Sequence, residues 1–134
     1  VAQGCRMAFR REVFENERFV QFLPGYCQNE DVDMTFRVGQ SWKILQTPHA
    51  KLLHKESPVS RIQYPAQLGQ MIFAHYYFFT RYREKTPTNL AQYAWSHSGL
   101  MALALGRAVI NAQPEVLGGI KDGYQRCIKD LVSA

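Results

Sequence analysis

The sequence predicts an α/β fold in two parts, short strands alternating with short helices over residues 1–61 and helices alone over 62–134. Three observations carry it. The first 61 residues break into short apolar runs separated by charges and turn signals. Beyond them, apolar residues recur at spacings of three and four. And 134 residues, 46% of them apolar, suffice for a buried core and exclude a disordered tail.

Arg6 to Phe9 reads as a strand, and Arg10 to Asn16, with Val13 and Phe14 among charges, as a short helix. Leu23-Pro24-Gly25-Tyr26 is a turn signal, because proline presets φ and glycine tolerates positive φ. The next helix spans Asn29 to Gly39. Asn29 is its cap, Glu30, Asp31 and Asp33 fall in the first turn where the helix dipole favours acids, and Gly39 closes it. Trp42 to Leu45 and Lys51 to His54 read as two strands around Thr47-Pro48-His49.

Pro65 suits a first helical turn, and Leu68, Ile72, Tyr76, Phe79 and Tyr82 continue the helix at helical spacing. A second helix runs from about Thr88 to Asn111, stopped by Pro114, with Leu90, Tyr93, Leu100, Leu103 and Ile110 apolar. A third runs from Pro114 to Leu131, lined by Val116, Ile120, Tyr124, Ile128 and Leu131.

Residues 1–61 carry a net +2 and residues 62–134 a net +3, with no charged side chain from Thr86 to Gly106. The basic residues are not clustered on a recognisable module, so nucleic acid is not an expected partner. The uncharged run holds Pro87, Asn89, Gln92, Ser96, His97 and Ser98. Its densely apolar part, Gly99 to Gly106, is far shorter than the ~20 residues of a membrane span. A buried helix or one lying at a membrane surface remains. Cys5, Cys27 and Cys127 are odd in number and widely spaced, which argues against a disulfide framework or a cysteine zinc site and for a reducing compartment. The N-terminus lacks the apolar stretch of a signal peptide.

The densest chemical signal is Glu30-Asp31-Val32-Asp33 with Arg37. Its bland reading is a capped helix carrying one i,i+4 surface ion pair; its functional reading is a carboxylate at a helix start, suited to general-base work. His54 stands at a strand end. His49, His75 and His97 make no HxxxH or HExxH pattern, so a self-contained zinc site is not expected.

In order, the chain reads Gly4-Cys5-Arg6-Met7-Ala8-Phe9-Arg10-Arg11-Glu12-Val13-Phe14, then Phe19, then Leu23-Pro24-Gly25-Tyr26. Next come Asn29-Glu30-Asp31-Val32-Asp33-Met34-Thr35-Phe36-Arg37 and the segment from Lys43 to His54. This succession resembles the second half of a bacterial family 2 glycosyltransferase, and the helical remainder is similar to the C-terminal extension of such enzymes. The resemblance implies a partial GT-A fold and inverting transfer of a sugar from a nucleotide-sugar donor to a glycan or lipid-linked acceptor hydroxyl in cell-surface polysaccharide synthesis. It implies Asp31 as the base and Glu30, Asp33, Arg37 and Arg10 on the substrates. His54 is placed on a divalent metal, Mg or Mn, whose main ligands lie outside this chain. It also implies a cytoplasmic enzyme peripheral to the inner membrane face. Glu17-Arg18-Phe19-Val20 stands where the family has Gly-Gly-Phe-Asp, and the family's first half, with the nucleotide-binding strands and the metal motif that belong to it, is not represented in these residues. The expectation is therefore a C-terminal fragment, inactive alone. The rival expectation is a non-catalytic helical interaction or membrane-adaptor domain.

Overall fold

The computed structural model describes residues 6–20, 29–53, 55 and 62–133, and among them the fold is all-α. Five helices follow in order: α1 (Val13–Asn16), α2 (Glu30–Ser41), α3 (Tyr64–Tyr82), α4 (Pro87–Ile110) and α5 (Glu115–Ser133). The α/β expectation, and the partial GT-A fold with it, is corrected by this finding. A strand exists only by exchanging backbone hydrogen bonds with a neighbour. The runs at residues 7–9, 43–47 and 51–53 have none among the described residues and stay irregular. The turn at Leu23 to Tyr26 lies outside the described residues.

The chain divides into two compact units, Val1–Arg61 and Ile62–Ala134. In the first, α2 lays Met34 and Val38, one turn apart, against Val13, with Phe9 and Phe14 closing the cluster. Phe9 meets Phe14 edge to face at 5.8 Å and Phe19 at 6.2 Å. Asn29 precedes α2 in the left-handed region at φ 71°, which asparagine tolerates, and its side chain makes no capping bond. The helix also runs two residues past Gly39, ending where Trp42 turns extended.

In the second unit, α3 and α5 form the principal interface. The buried line on α5 is Val116, Gly119, Gly123 and Cys127, so of the expected apolar stripe only Val116 is buried, and Ile128 and Leu131 face solvent. Glycine inside a helix costs about 1 kcal/mol against alanine. Here it permits close approach: a Cβ on Gly119 would stand 2.7 Å from the Pro65 carbonyl carbon, and one on Gly123 2.8 Å from Ile72 Cβ. Leu68, Ile72 and Val116 fill the space beside this contact. Arg81 adds a two-pronged ion pair to Asp130 at 3.1 and 3.2 Å.

Thr86 caps α4 by accepting the Asn89 amide at 3.2 Å. At the other end, the Gln113 amide donates to the Ala108 carbonyl at 3.0 Å and Ala112 takes φ 49°, a Schellman turn with alanine where glycine is usual. That turn, rather than Pro114 alone, ends the helix. Of α4's large apolar residues none is fully buried; Trp95 is 84% and Ile110 83% exposed. No described helix is long and apolar enough to cross a membrane.

Burial pushes the Cys127 thiol up from 9.0 to about 11. Two pH units less thiolate mean that, at pH 8, Cys127 in the folded chain is expected to react with iodoacetamide about a hundredfold more slowly than in urea. Peptide mapping by mass spectrometry measures it, and equal rates would place the thiol at the surface.

Candidate functional site

The first turn of α2 holds the three acids that the sequence singles out. Asp33 is fully buried, and its Oδ2 accepts Arg37 Nε at 2.9 Å and pairs with Nη2 at 2.8 Å. Arg37 also reaches Glu17 through Nη1 and donates from Nη2 to the Arg18 carbonyl at 2.6 Å. The i,i+4 pair foreseen as a surface contact is therefore the centre of a partly buried network, with Asp33 its buried member. It ties α2 to Glu17 and Arg18 in the segment following α1. Buried charge demands this degree of pairing.

Asp31 lies in the same turn, half-buried. Its Oδ1 accepts the Val32 amide at 2.8 Å, and its carbonyl accepts the Thr35 hydroxyl at 2.6 Å. The carboxylate thus sits at the positive end of a twelve-residue helix. Glu30 is also half-buried, and its Oε2 is shielded from solvent without a hydrogen-bond partner. Arg10 is exposed, its carbonyl accepting the Val13 amide at 3.2 Å, and the structure brings no hydrogen bond or ion pair from it to the α2 acids. His54 lies outside the described residues.

Among the described residues no three histidine, cysteine or acidic side chains converge as a metal site. The metal implied by the resemblance falls on His54 and on ligands outside this chain, none of them among the described residues, and it enters no step of the chemistry proposed below.

Truncating Asp33 leaves Arg37 with its Glu17 and Arg18 partners but uncovers a cavity beside a half-buried guanidinium. Asp33→Ala is expected to destabilise the first unit by about 3 kcal/mol. Urea unfolding followed by Trp42 fluorescence, in a Trp95→Phe background, measures it; an unchanged midpoint would return the pair to the surface.

A second constellation was not expected from spacing. His75 of α3 and His97 of α4 meet Nδ1 to Nδ1 at 3.4 Å. His75 Nε2 lies 2.7 Å from Ser96 Oγ, and His97 Nε2 lies 2.6 Å from the Tyr124 hydroxyl of α5. Tyr93 stacks over His75 at 4.6 Å and over Phe79 at 4.4 Å. Four polar side chains from three helices thus form one hydrogen-bonded line. The available signal was symmetry: Phe79 and Tyr93, and likewise His75 and His97, are equidistant from Thr86, as residues facing across an antiparallel helical hairpin must be. No family model matches the chain, and neither a curated protein nor a solved structure matches it.

Proposed function

We propose that the chain carries the base-bearing part of an inverting glycosyltransferase. Asp31 takes the proton of an acceptor hydroxyl as its oxygen attacks the anomeric carbon of a nucleotide sugar. The new C–O bond forms opposite the leaving nucleoside diphosphate, which departs with the electron pair of the broken bond, so the anomeric configuration inverts. An acceptor hydroxyl is a weak nucleophile until a carboxylate within hydrogen-bond reach relieves it of its proton.

The observation that supports this reading is the division of labour in one helical turn. Asp33 is locked by Arg37, which is itself anchored on Glu17 and the Arg18 carbonyl, while Asp31 beside it is half-exposed at the start of α2. Asp33 and Arg37 are positioning residues in this scheme, and Glu30 borders the acceptor. The ordered motifs from Gly4 to His54 supply the reaction class. The test is transfer to an acceptor panel by the protein made from its complete reading frame, with the anomeric configuration of the product read by NMR. A retained configuration, or no transfer from any nucleotide sugar, sinks the reading.

A second reading, of surface docking to anionic lipid, is favoured by α4. Its solvent-facing arc carries Trp95, Leu103, Val109 and Ile110 and is uncharged from Thr86 to Gly106, in a unit of net charge +3. In a Trp42→Phe background, phosphatidylglycerol vesicles are expected to pellet the chain and shift Trp95 emission to the blue, and high salt to weaken both. Unshifted emission at full lipid excess removes this reading.

A further inference from the structure

The two histidines of the α3–α4 hairpin meet head-on. Their ring centroids are 5.6 Å apart, their planes differ by 7°, and the Nδ1 atoms are 3.4 Å apart. The first distance exceeds the last by one ring width, so each Nδ1 points at the other. The outer nitrogens are engaged as well, His75 Nε2 with Ser96 Oγ at 2.7 Å and His97 Nε2 with the Tyr124 hydroxyl at 2.6 Å.

The number of protons on this line decides whether it holds. A neutral imidazole carries one N–H and one lone pair. With no proton between the Nδ1 atoms, two lone pairs face each other; with two, a pair of N–H groups does. One proton makes an N–H···N bond and fixes both ends of the line. The donor ring then accepts a hydroxyl proton at its bare Nε2, and the acceptor ring donates its Nε2–H to the other hydroxyl. A first added proton goes to that bare Nε2. The hydroxyl there turns from donor to acceptor, and the central bond survives, now donated by an imidazolium. A second added proton has only the accepting Nδ1 left to take. It ends the central bond and sets two cations against each other.

The surroundings offer that second charge no relief. The titratable groups facing the pair are Tyr93 of α4 and Tyr124 of α5, with Tyr76 and the Cys127 thiol acting on Tyr93 behind them. Phenols ionise near 10 and this thiol at about 11, so all are neutral while imidazole titrates. Helix α4 is uncharged from Thr86 to Gly106, and α3 carries Arg81 as its charged residue. On α5, Asp122 and Asp130 are paired with Arg126 and Arg81, Glu115 stands in the first turn, and Lys121, one turn before Tyr124, is itself a cation.

We propose that His75 and His97 are an acid-sensitive latch on the α3–α4 hairpin: one proton shared between their Nδ1 atoms joins the helices, and a proton on each parts them. Burial first, and the charge on His97 second, hold the folded His75 imidazole below its ordinary 6.5. The unfolded chain therefore binds more protons as the pH falls through that value, and the hairpin weakens from there downward. The latch belongs to the second unit and is independent of the glycosyl-transfer reading.

Amide hydrogen exchange of the full chain, corrected for intrinsic rates, tests it. Protection of the α4 amides from Tyr93 to His97 is expected to fall about tenfold between about pH 7.5 and about pH 5. Glutamine keeps a donor and an acceptor but takes no proton, so in His75→Gln/His97→Gln the fall is expected to shrink to less than about twofold. Should that variant fail to fold, the wild-type imidazole nitrogens decide: in long-range proton–nitrogen spectra the two rings are expected to take up two protons in separate steps, each seen at both residues. Two independent single-step titrations near 6.5, α4 protection unchanged at the lower pH, or an equal loss in the double variant overturns the latch.

Discussion

Gly119→Ala is expected to destabilise the three-helix unit by about 3 kcal/mol, whereas Gly118→Ala, one residue away, is expected to stabilise it by about 0.5–1 kcal/mol. The opposite signs follow from the crossing of α3 and α5. A methyl on Gly119 meets the Pro65 carbonyl carbon at 2.7 Å and its Cα at 2.9 Å, and both are backbone atoms of the first turn of α3. No side-chain rotation relieves that contact, so the helices must separate and expose Leu68, Ile72 and Val116. A methyl on Gly118 meets nothing within 4 Å and only restricts the unfolded chain. Urea unfolding of the two variants by far-ultraviolet circular dichroism measures the difference. Coincident midpoints would mean that the helices do not approach as closely as the structure has them.

For the proposed chemistry, Asp31→Asn should lower turnover by roughly 10²–10⁴-fold, the usual contribution of general-base catalysis, with little change in fold. The amide keeps the shape of the carboxylate, and its oxygen can still accept the Val32 amide; only the basicity is lost. Asp33→Asn should act instead through stability, because Arg37 loses its buried counter-charge. A transfer assay with the protein made from its complete reading frame, run beside thermal melts, distinguishes them. Near-normal turnover of Asp31→Asn together with a dead but folded Asp33→Asn would put the base on the wrong residue.

The helices were legible in the sequence where local chemistry decides. Pro65 and Pro87 stand in first turns, the acids of Glu30 to Asp33 open α2, and the three- and four-residue spacings of Leu68, Ile72 and Phe79 mark α3. The failures come from tertiary causes. Trp42 to Leu45 is apolar enough for a strand, but strand identity is conferred by a hydrogen-bonded neighbour that local sequence does not contain. On α5 the large residues suggested the buried side, yet the contact face consists of glycines, whose value is absence of volume and escapes any count of apolar side chains. At the candidate site, the pairing of Asp33 with Arg37 was legible from i,i+4 spacing, but its burial was not, since Glu17 and Arg18 approach from a distant stretch of chain.

The glycines of α5 also make its helix dependent on its partner. Gly118, Gly119 and Gly123 give this nineteen-residue helix a poor intrinsic tendency to form. Its helix therefore depends on the face it shares with α3, its principal partner, and α5 is held helical by that docking. Its backbone amides should exchange with solvent through global opening, in one cooperative event with loss of the Pro65 contact, and not by independent fraying from Ser133 inward.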